Sequence, residues 1–261
     1  MSARFAIAAW CTAAATLSPL PAMTADLSLE QIRQKLAAAT DAAPADFAGQ
    51  DLSDLDLSGL DLSGARLEGT SFFGAKLVNC NLRGSNLRKA NLNGAWLMGA
   101  DFSGADLTGA SLLSVVVLGG EVKARPVFAG ATMRGVRMIA DLPNANLAGA
   151  DLSNSRIGVN IRNQGMGQMR TDLSGANLAG ASLAGADVNR SLMTFANLKD
   201  SDLRGANFFR VKLSGADLAG ADVTGADFTE ADLDGTNLRG VKGLDAAKGL
   251  DLAENFDKAL R

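Results

Sequence analysis

The sequence predicts an all-β solenoid, a chain wound into stacked coils around a narrow apolar axis. Three regularities carry that expectation. A five-residue unit recurs, as in Ala45-Asp46-Phe47-Ala48-Gly49, Ala100-Asp101-Phe102-Ser103-Gly104 and Ala216-Asp217-Leu218-Ala219-Gly220. Each unit has a large apolar centre. The centres run in steps of five from Phe47 to Val122, continue at Phe128, Met133, Met138, Leu142, Leu147, Leu152 and Ile157, and resume from Leu173 to Leu238. All 37 are apolar and 23 are Leu; 21 of the residues two places before a centre are Ala, and 23 of the chain's 29 Gly lie two places after one. A period of five matches neither the 3.6 of a helix nor the 2.0 of a flat strand, and a sustained period is the mark of a repeat architecture.

These Ala-(Asp/Asn)-Leu-x-x units, spanning about residues 45–242, resemble the repeats of the pentapeptide-repeat family. The resemblance implies a right-handed quadrilateral β-helix with four pentapeptides to each square coil, here with short helical caps at the ends. The residue types suit that geometry. If each unit forms one side of a square, its centre and the small residue before it point inward, so that Leu fills the axis while Ala lets the walls approach. Gly after the centre suits a corner, where φ turns positive at little cost. Stacked coils would pair their backbone N–H and C=O groups coil to coil. The 37 units make about nine coils, a rod roughly 43 Å long at about 4.8 Å per coil. Each coil meets only its neighbours, so both ends need covers.

The elements follow in order. Residues 1–25 read as a signal peptide: Arg4 is the only charge, Phe5 to Leu17 is apolar or small, and Pro19 and Pro21 break the stretch before Ala22 and Ala25. About 13 apolar residues are too few to span a membrane, which needs roughly 20. The mature chain is therefore expected to begin near residue 25, to lack a membrane span, and to be periplasmic or secreted. Residues 26–44 are expected to form an N-terminal capping helix. Ser28 and Gln31 make a capping box, and Leu29, Ile32 and Leu36 share one face. So short a helix does not stand alone in water, and its apolar stripe must cover something. Within residues 45–242 the period slips twice. Val122 to Phe128 is six residues and Met138 to Leu142 is four, which predicts a bulge and its correction. Residues 158–170 lack regular centres and are expected to form an irregular loop, with Arg162, Met166 and Arg170 as candidate contacts. Leu244, Leu250, Leu252, Phe256 and Leu260 predict a compact C-terminal cap over 243–261.

Composition argues against chemistry. With no His, the chain lacks the commonest general base and zinc ligand. Its two Cys, Cys11 and Cys80, leave no thiolate metal site and no disulfide framework, and Cys80 stands at an inward small position. Asp46, Asp51, Asp56 and Asp61 each precede a centre, where the family's repeat carries Asp or Asn. A catalytic pair needs two carboxylates in different environments, and a regular column supplies similar ones. These side chains are expected to bond the backbone of a neighbouring coil. The Gly-rich turns lack a phosphate-loop Lys-Ser/Thr signature. No catalytic, cofactor-binding or metal residue is predicted, no small-molecule substrate, and no enzyme.

One branch of the family mimics duplex DNA and protects DNA gyrase, which asks for a continuous anionic face. Here residues 26–61 hold 2 basic and 8 acidic side chains, residues 62–170 hold 12 and 6, and residues 171–261 hold 10 and 14. The basic middle opposes a DNA mimic, and a net charge of −3 favours neither nucleic acid nor an anionic membrane as partner. Grouping every fourth centre puts Leu57, Leu77, Leu97, Val117 and Met138 on one face. Outward positions beside them carry Val78, Met98, Leu118 and Ile139, with Trp96 and Val116 alongside and Phe73 on the adjoining face. A contiguous apolar stripe marks an interface, for a partner protein or a second copy of the chain. The sequence thus reads as a non-catalytic exported solenoid presenting a rigid surface for protein binding. The alternatives are a DNA-mimicking gyrase-protecting protein and a purely structural envelope protein.

Overall fold

Local turns generate the coil. The N–H of Gln50 donates to the Phe47 carbonyl at 3.1 Å, that of Leu60 to Leu57 at 3.1 Å and that of Ala105 to Phe102 at 2.9 Å. In each such turn φ is positive at the second residue after the centre and not at the first, which is the signature of a type II turn. Of 33 left-handed corners between units among the described residues, 22 are Gly, because that residue alone takes positive φ without a Cβ clash.

The computed structural model describes residues 25–117, 124–158 and 170–261. Turning at every fifth residue returns the chain beneath itself after twenty. Asp46 pairs with Arg66, Arg66 with Asn86 and Asn86 with Asp106, all parallel. Three further ladders start at Asp51, Asp56 and Asp61, so the rod has four faces, numbered 1 to 4 in that order. Within a ladder the Phe47 N–H donates to the Arg66 carbonyl at 2.8 Å and the Arg66 N–H to Ala45 at 2.9 Å. The described centres are all 4% exposed or less. Where Phe residues occupy successive coils their rings stack face to face at the coil repeat, Phe102 on Phe128 at 5.0 Å and Phe208 on Phe228 at 5.1 Å. Cys80 is buried as an inward residue, its thiol donating to the Leu57 carbonyl at 2.9 Å and pushed up to about 11 by burial.

The period slips are not a bulge and its correction. Trp96 pairs with Val116, but the next ladder bonds go from Gly99 to Ala124 and from Asp101 to Val127. The ladder therefore passes over six residues, 118–123, and Val122, expected as a centre, lies among them outside the described residues. The second slip is separate. Face 2 of the following coil is shortened by one residue, and the turn gives way to a short parallel pair, β1 (Ser111–Leu113) with β2 (Arg137–Ile139), which sets Leu113 opposite Ile139. Without Val122 the centres number 36, which closes as nine coils of four. The expected loop at 158–170 coincides with an eleven-residue insertion, 159–169. The ladder leaves at Gly158, bonded to Asp187, and is resumed by Asp172, bonded to Ala140.

Helix α1 (Leu29–Ala38) lies against the first coil. Both capping-box bonds between Ser28 and Gln31 form, Ile32 is fully buried, and Leu29 and Leu36 pack on the core. The Asp26 N–H donates to the Asp51 carbonyl at 2.7 Å, and the Lys35 ammonium to that of Asp46 at 3.1 Å. The C-terminal segment is more ordered than a compact cap. It forms a tenth coil with six-residue sides, pairing Lys242 with Asp222, Lys248 with Asp227, Glu254 with Asp232 and Leu260 with Asn237. Left-handed Gly243, Gly249 and Asn255 occupy the places where centres would stand, and Leu244, Leu250 and Phe256 beside them pack against the last regular coil. Leu252 and Leu260, expected within the cap, are exposed.

Candidate interaction surface

The outward positions are built from the same unit. The residue before each centre points out, and where it is Asp its Oδ1 commonly accepts the N–H two residues on: Ala48 to Asp46 at 3.0 Å, Ser53 to Asp51 at 2.9 Å, Ser63 to Asp61 at 3.0 Å. The bond is thus local, closing over the centre of the same unit, and not to the neighbouring coil as the sequence led us to expect. Neighbouring coils are joined instead through Asn side chains, Asn81 to Asp61 at 2.9 Å and Asn237 to Asp217 at 2.9 Å. The hydroxyls of Ser53, Ser58, Ser63 and Thr224, with the amides of the same residues, hold Asp51, Asp56, Asp61 and Asp222 below the usual carboxylate range. A carboxylate whose folded pKa is depressed stabilises the fold fully above its unfolded value of about 4, and that contribution is lost as pH falls through the folded value. With no His to titrate, the urea midpoint is expected to stay level between about pH 5.5 and 8 and to fall below about pH 4. A midpoint that moved as much in the upper range would contradict this.

The apolar stripe is partly rearranged. Phe73 and Trp96 are exposed at 52% and 39%, and Val78 and Val116 are half-buried around them. Met98 is only 3% exposed and so offers no contact surface, although its position is outward. Leu118 lies outside the described residues, and Ala124 takes the ladder position assigned to it. Ile139 belongs to face 2, not face 3, because the six-residue insertion advances the count by a whole side. The outcome is a patch on one edge of the rod. Face 2 brings Phe73, Leu113 and Ile139 to the corner it shares with face 3, and face 3 brings Trp96 and Val116 beside that corner, with Val78 farther across the face toward the Asn79 corner and the Lys76 ammonium 5.9 Å from the Trp96 ring.

Farther along this edge the chain breaks its own corner rule. Most other non-Gly corners are followed in the next coil by Gly, as Asp54 by Gly74, Asn79 by Gly99 and Phe195 by Gly215, since the side chain lies over the glycine, whereas Ser114 is followed by the shortened side at Ile139 and Ala140. Between faces 2 and 3, Arg190, Arg210 and Glu230 follow one another, all at positive φ. Arg170 stands in the same column one coil earlier. The Phe209 ring lies 5.5 Å from the Arg190 guanidinium and 4.9 Å from that of Arg210. Arg210 pairs with Glu230, which raises its pKa. Burial works against the Lys212 ammonium, but Glu254 at 3.0 Å and Asp232 at 3.5 Å outweigh it and its pKa rises too. Arg170, Arg190, Arg210, Lys212, Glu230 and Glu254 line a cleft of about 170 Å³. Of the loop contacts expected from the sequence, Arg170 is therefore part of this cluster, while Arg162 and Met166 lie outside the described residues. A non-Gly residue at positive φ costs roughly 1–2 kcal/mol, so three in succession form a recognisable signal in the sequence. That signal is the break in the Gly column at Arg190, Arg210 and Glu230.

Among the described residues there is no group of three acidic or thiol side chains able to hold a metal ion, and no helix long and apolar enough to cross a membrane. Four parallel ladders around a Leu-filled axis define a square β-solenoid. Pentapeptide-repeat models match eight copies over residues 40–69, 65–104, 75–113, 171–208 and 206–242, more than half of the chain, which belongs to the pentapeptide-repeat family. Proteins of this family fold as right-handed quadrilateral β-helices and are generally structural or interaction proteins without catalysis. Among solved structures the chain is similar to HetL, a pentapeptide repeat protein involved in heterocyst differentiation regulation from the cyanobacterium Nostoc, at 28% identity over 90% of this chain and 94% of that one, with a TM-score of 0.50. Rfr23 from the cyanobacterium Cyanothece is 26% identical over 46% of this chain and 90% of its own, with a TM-score of 0.24. QnrB1, a plasmid-mediated fluoroquinolone resistance protein, is 18% identical over 76% and 89%, with a TM-score of 0.32. No curated protein matches the chain.

Proposed function

We propose that this protein is exported and acts without catalysis, as a rigid rod that binds another protein through the edge between faces 2 and 3. The observation that carries the reading is the exposure of Phe73 and Trp96 on one edge, beside half-buried Val78, Val116, Leu113 and Ile139. Other outward columns carry mainly Ser, Thr, Asn, Asp, Ala and basic residues. Covering both aromatic rings removes about 200 Å² of apolar surface from water, a gross gain of roughly 5 kcal/mol before association costs. Aromatic anchors of this kind carry most of the energy in protein interfaces. Export rests on the pattern of residues 1–25, and α1 and the tenth coil are read as the two end caps.

A photo-crosslinking residue at position 73 should trap a defined partner, or a second copy, in the cell envelope. The same residue at position 103 on face 4 should not. Phe73→Ser with Trp96→Ser should abolish the crosslink from position 78 while leaving circular dichroism and melting unchanged. Equal crosslinking from both faces would reject the edge as an interface. Amino-terminal sequencing should find mature protein starting near residue 25; intact chain confined to the cytosol would reject export.

A further inference from the structure

We infer that the corner column Arg170–Arg190–Arg210 is a binding site for a phosphoryl group. The argument does not depend on the protein-binding edge. Three guanidiniums occupy one column in successive coils, and like charges in register repel. Two of them sit at left-handed corners, Arg190 at φ 59° and Arg210 at φ 58°, where the chain's other corners are Gly or, Ser114 apart, are followed by Gly. Both features work against the unliganded fold, and such strain clusters where a ligand is held. The side chains are also oriented: the Phe209 ring lies against both Arg190 and Arg210. Their charges are unequally met. Arg210 and Lys212 have Glu230, Glu254 and Asp232, whereas no carboxylate comes within ion-pair distance of Arg170 or Arg190 among the described residues. Asp187, on the same face, is taken up by Asn189 and Asn207.

The open side of the cleft therefore presents two guanidinium forks without an ion-pair partner among the described residues, Asp141 and Asp172 standing with Arg170 around the adjoining hollow, and a third fork a coil away. A carboxylate has a single negative charge and two oxygens, and it fits one fork. A phosphoryl group carries about −1.5 to −2 charges and three terminal oxygens, and it can accept from forks in successive coils at once. The source is either a soluble phosphate or polyphosphate, or the phosphomonoester headgroup of a lipid.

Titration calorimetry and thermal melting of the mature chain, at low and constant ionic strength, test the site with inorganic phosphate and tripolyphosphate. The wild type should bind tripolyphosphate saturably at one site and melt higher in its presence. Arg190→Gly, which restores the usual corner residue, should melt no lower than wild type without ligand and bind at least tenfold more weakly. Arg170→Gln, at an exposed position, gives the same readout if Arg190→Gly fails to fold. Flotation with vesicles of phosphatidylcholine, with or without phosphatidic acid, separates the sources; selective flotation of wild type points to a lipid, and binding in solution alone to a soluble phosphate. Equal affinity of wild type and both variants, or preference for a poly-glutamate peptide over tripolyphosphate, would overturn the assignment.

Discussion

Replacing Leu92 by Asp is expected to unfold the middle of the rod. Leu92 is fully buried, stacked on face 2 between Phe72 and Leu112, and its backbone serves both the ladder, through Ser111, and its own turn, through Ala95. A carboxyl group in that column meets only apolar side chains. An ionised group is uncompensated there and a neutral one still loses its hydration, so the cost is several kcal/mol. Total stabilities of folded domains are about 5–15 kcal/mol, and a solenoid passes its stability only between adjacent coils. The urea midpoint should therefore collapse or the transition split into two. Ser103→Ala is the matched control. Its hydroxyl and amide bond only Asp101 on the surface of face 4, and the loss should be under about 0.5 kcal/mol. Equal losses at the two positions would show that the inward and outward assignments are wrong.

Much of this architecture was legible because one local rule is repeated. An apolar centre, a small residue two before it and a Gly two after it each answer a separate constraint, namely the axis, the wall and the type II corner. Any unit meeting all three can be placed without knowing its neighbours. What failed was counting. Val122 satisfies the apolar requirement and the five-residue spacing, yet the ladder passes from Val116 to Ala124; Gly120 and Pro126 stand where Ala usually precedes a centre. One false unit shifts the face of everything after it, which is how Ile139 was set beside Trp96. The burial of Met98 was not legible either, since outward direction in a unit does not determine what lies over it. The tenth coil was legible and missed. Val241-Lys242-Gly243-Leu244-Asp245, Ala247-Lys248-Gly249-Leu250-Asp251 and Ala253-Glu254-Asn255-Phe256-Asp257 repeat with a period of six, and a search at five passes over them.

Removing residues 243–261 should convert the folded chain into one that associates end to end. The change of period explains why. In a five-residue side the centre points down the axis and leaves the next coil's place open. In the tenth coil Gly243, Gly249 and Asn255 take the centre's place in the left-handed conformation, and the following Leu244, Leu250 and Phe256 lie against the end of the core instead. Each large apolar side chain withdrawn from water contributes up to about 1.5–3 kcal/mol, so partial burial of three accounts for a few kcal/mol. Deletion would also free ladder groups. The N–H groups of Phe228, Leu233 and Leu238 lose the carbonyls of Lys248, Glu254 and Leu260, and the carbonyls of Ala226, Ala231 and Thr236 lose their donors. The result is an unpaired parallel edge around an exposed apolar axis, the template on which another chain adds. Light scattering after size exclusion should show the shortened chain as dimers and larger species under conditions where the full chain keeps its own mass. Leu250→Asp with Phe256→Asp, in the full-length chain, should reproduce part of the shift, because the lid is spoiled while most ladder bonds remain. A shortened chain with unchanged mass and melting temperature would show that the ninth coil closes the rod by itself and that the six-residue sides only extend it.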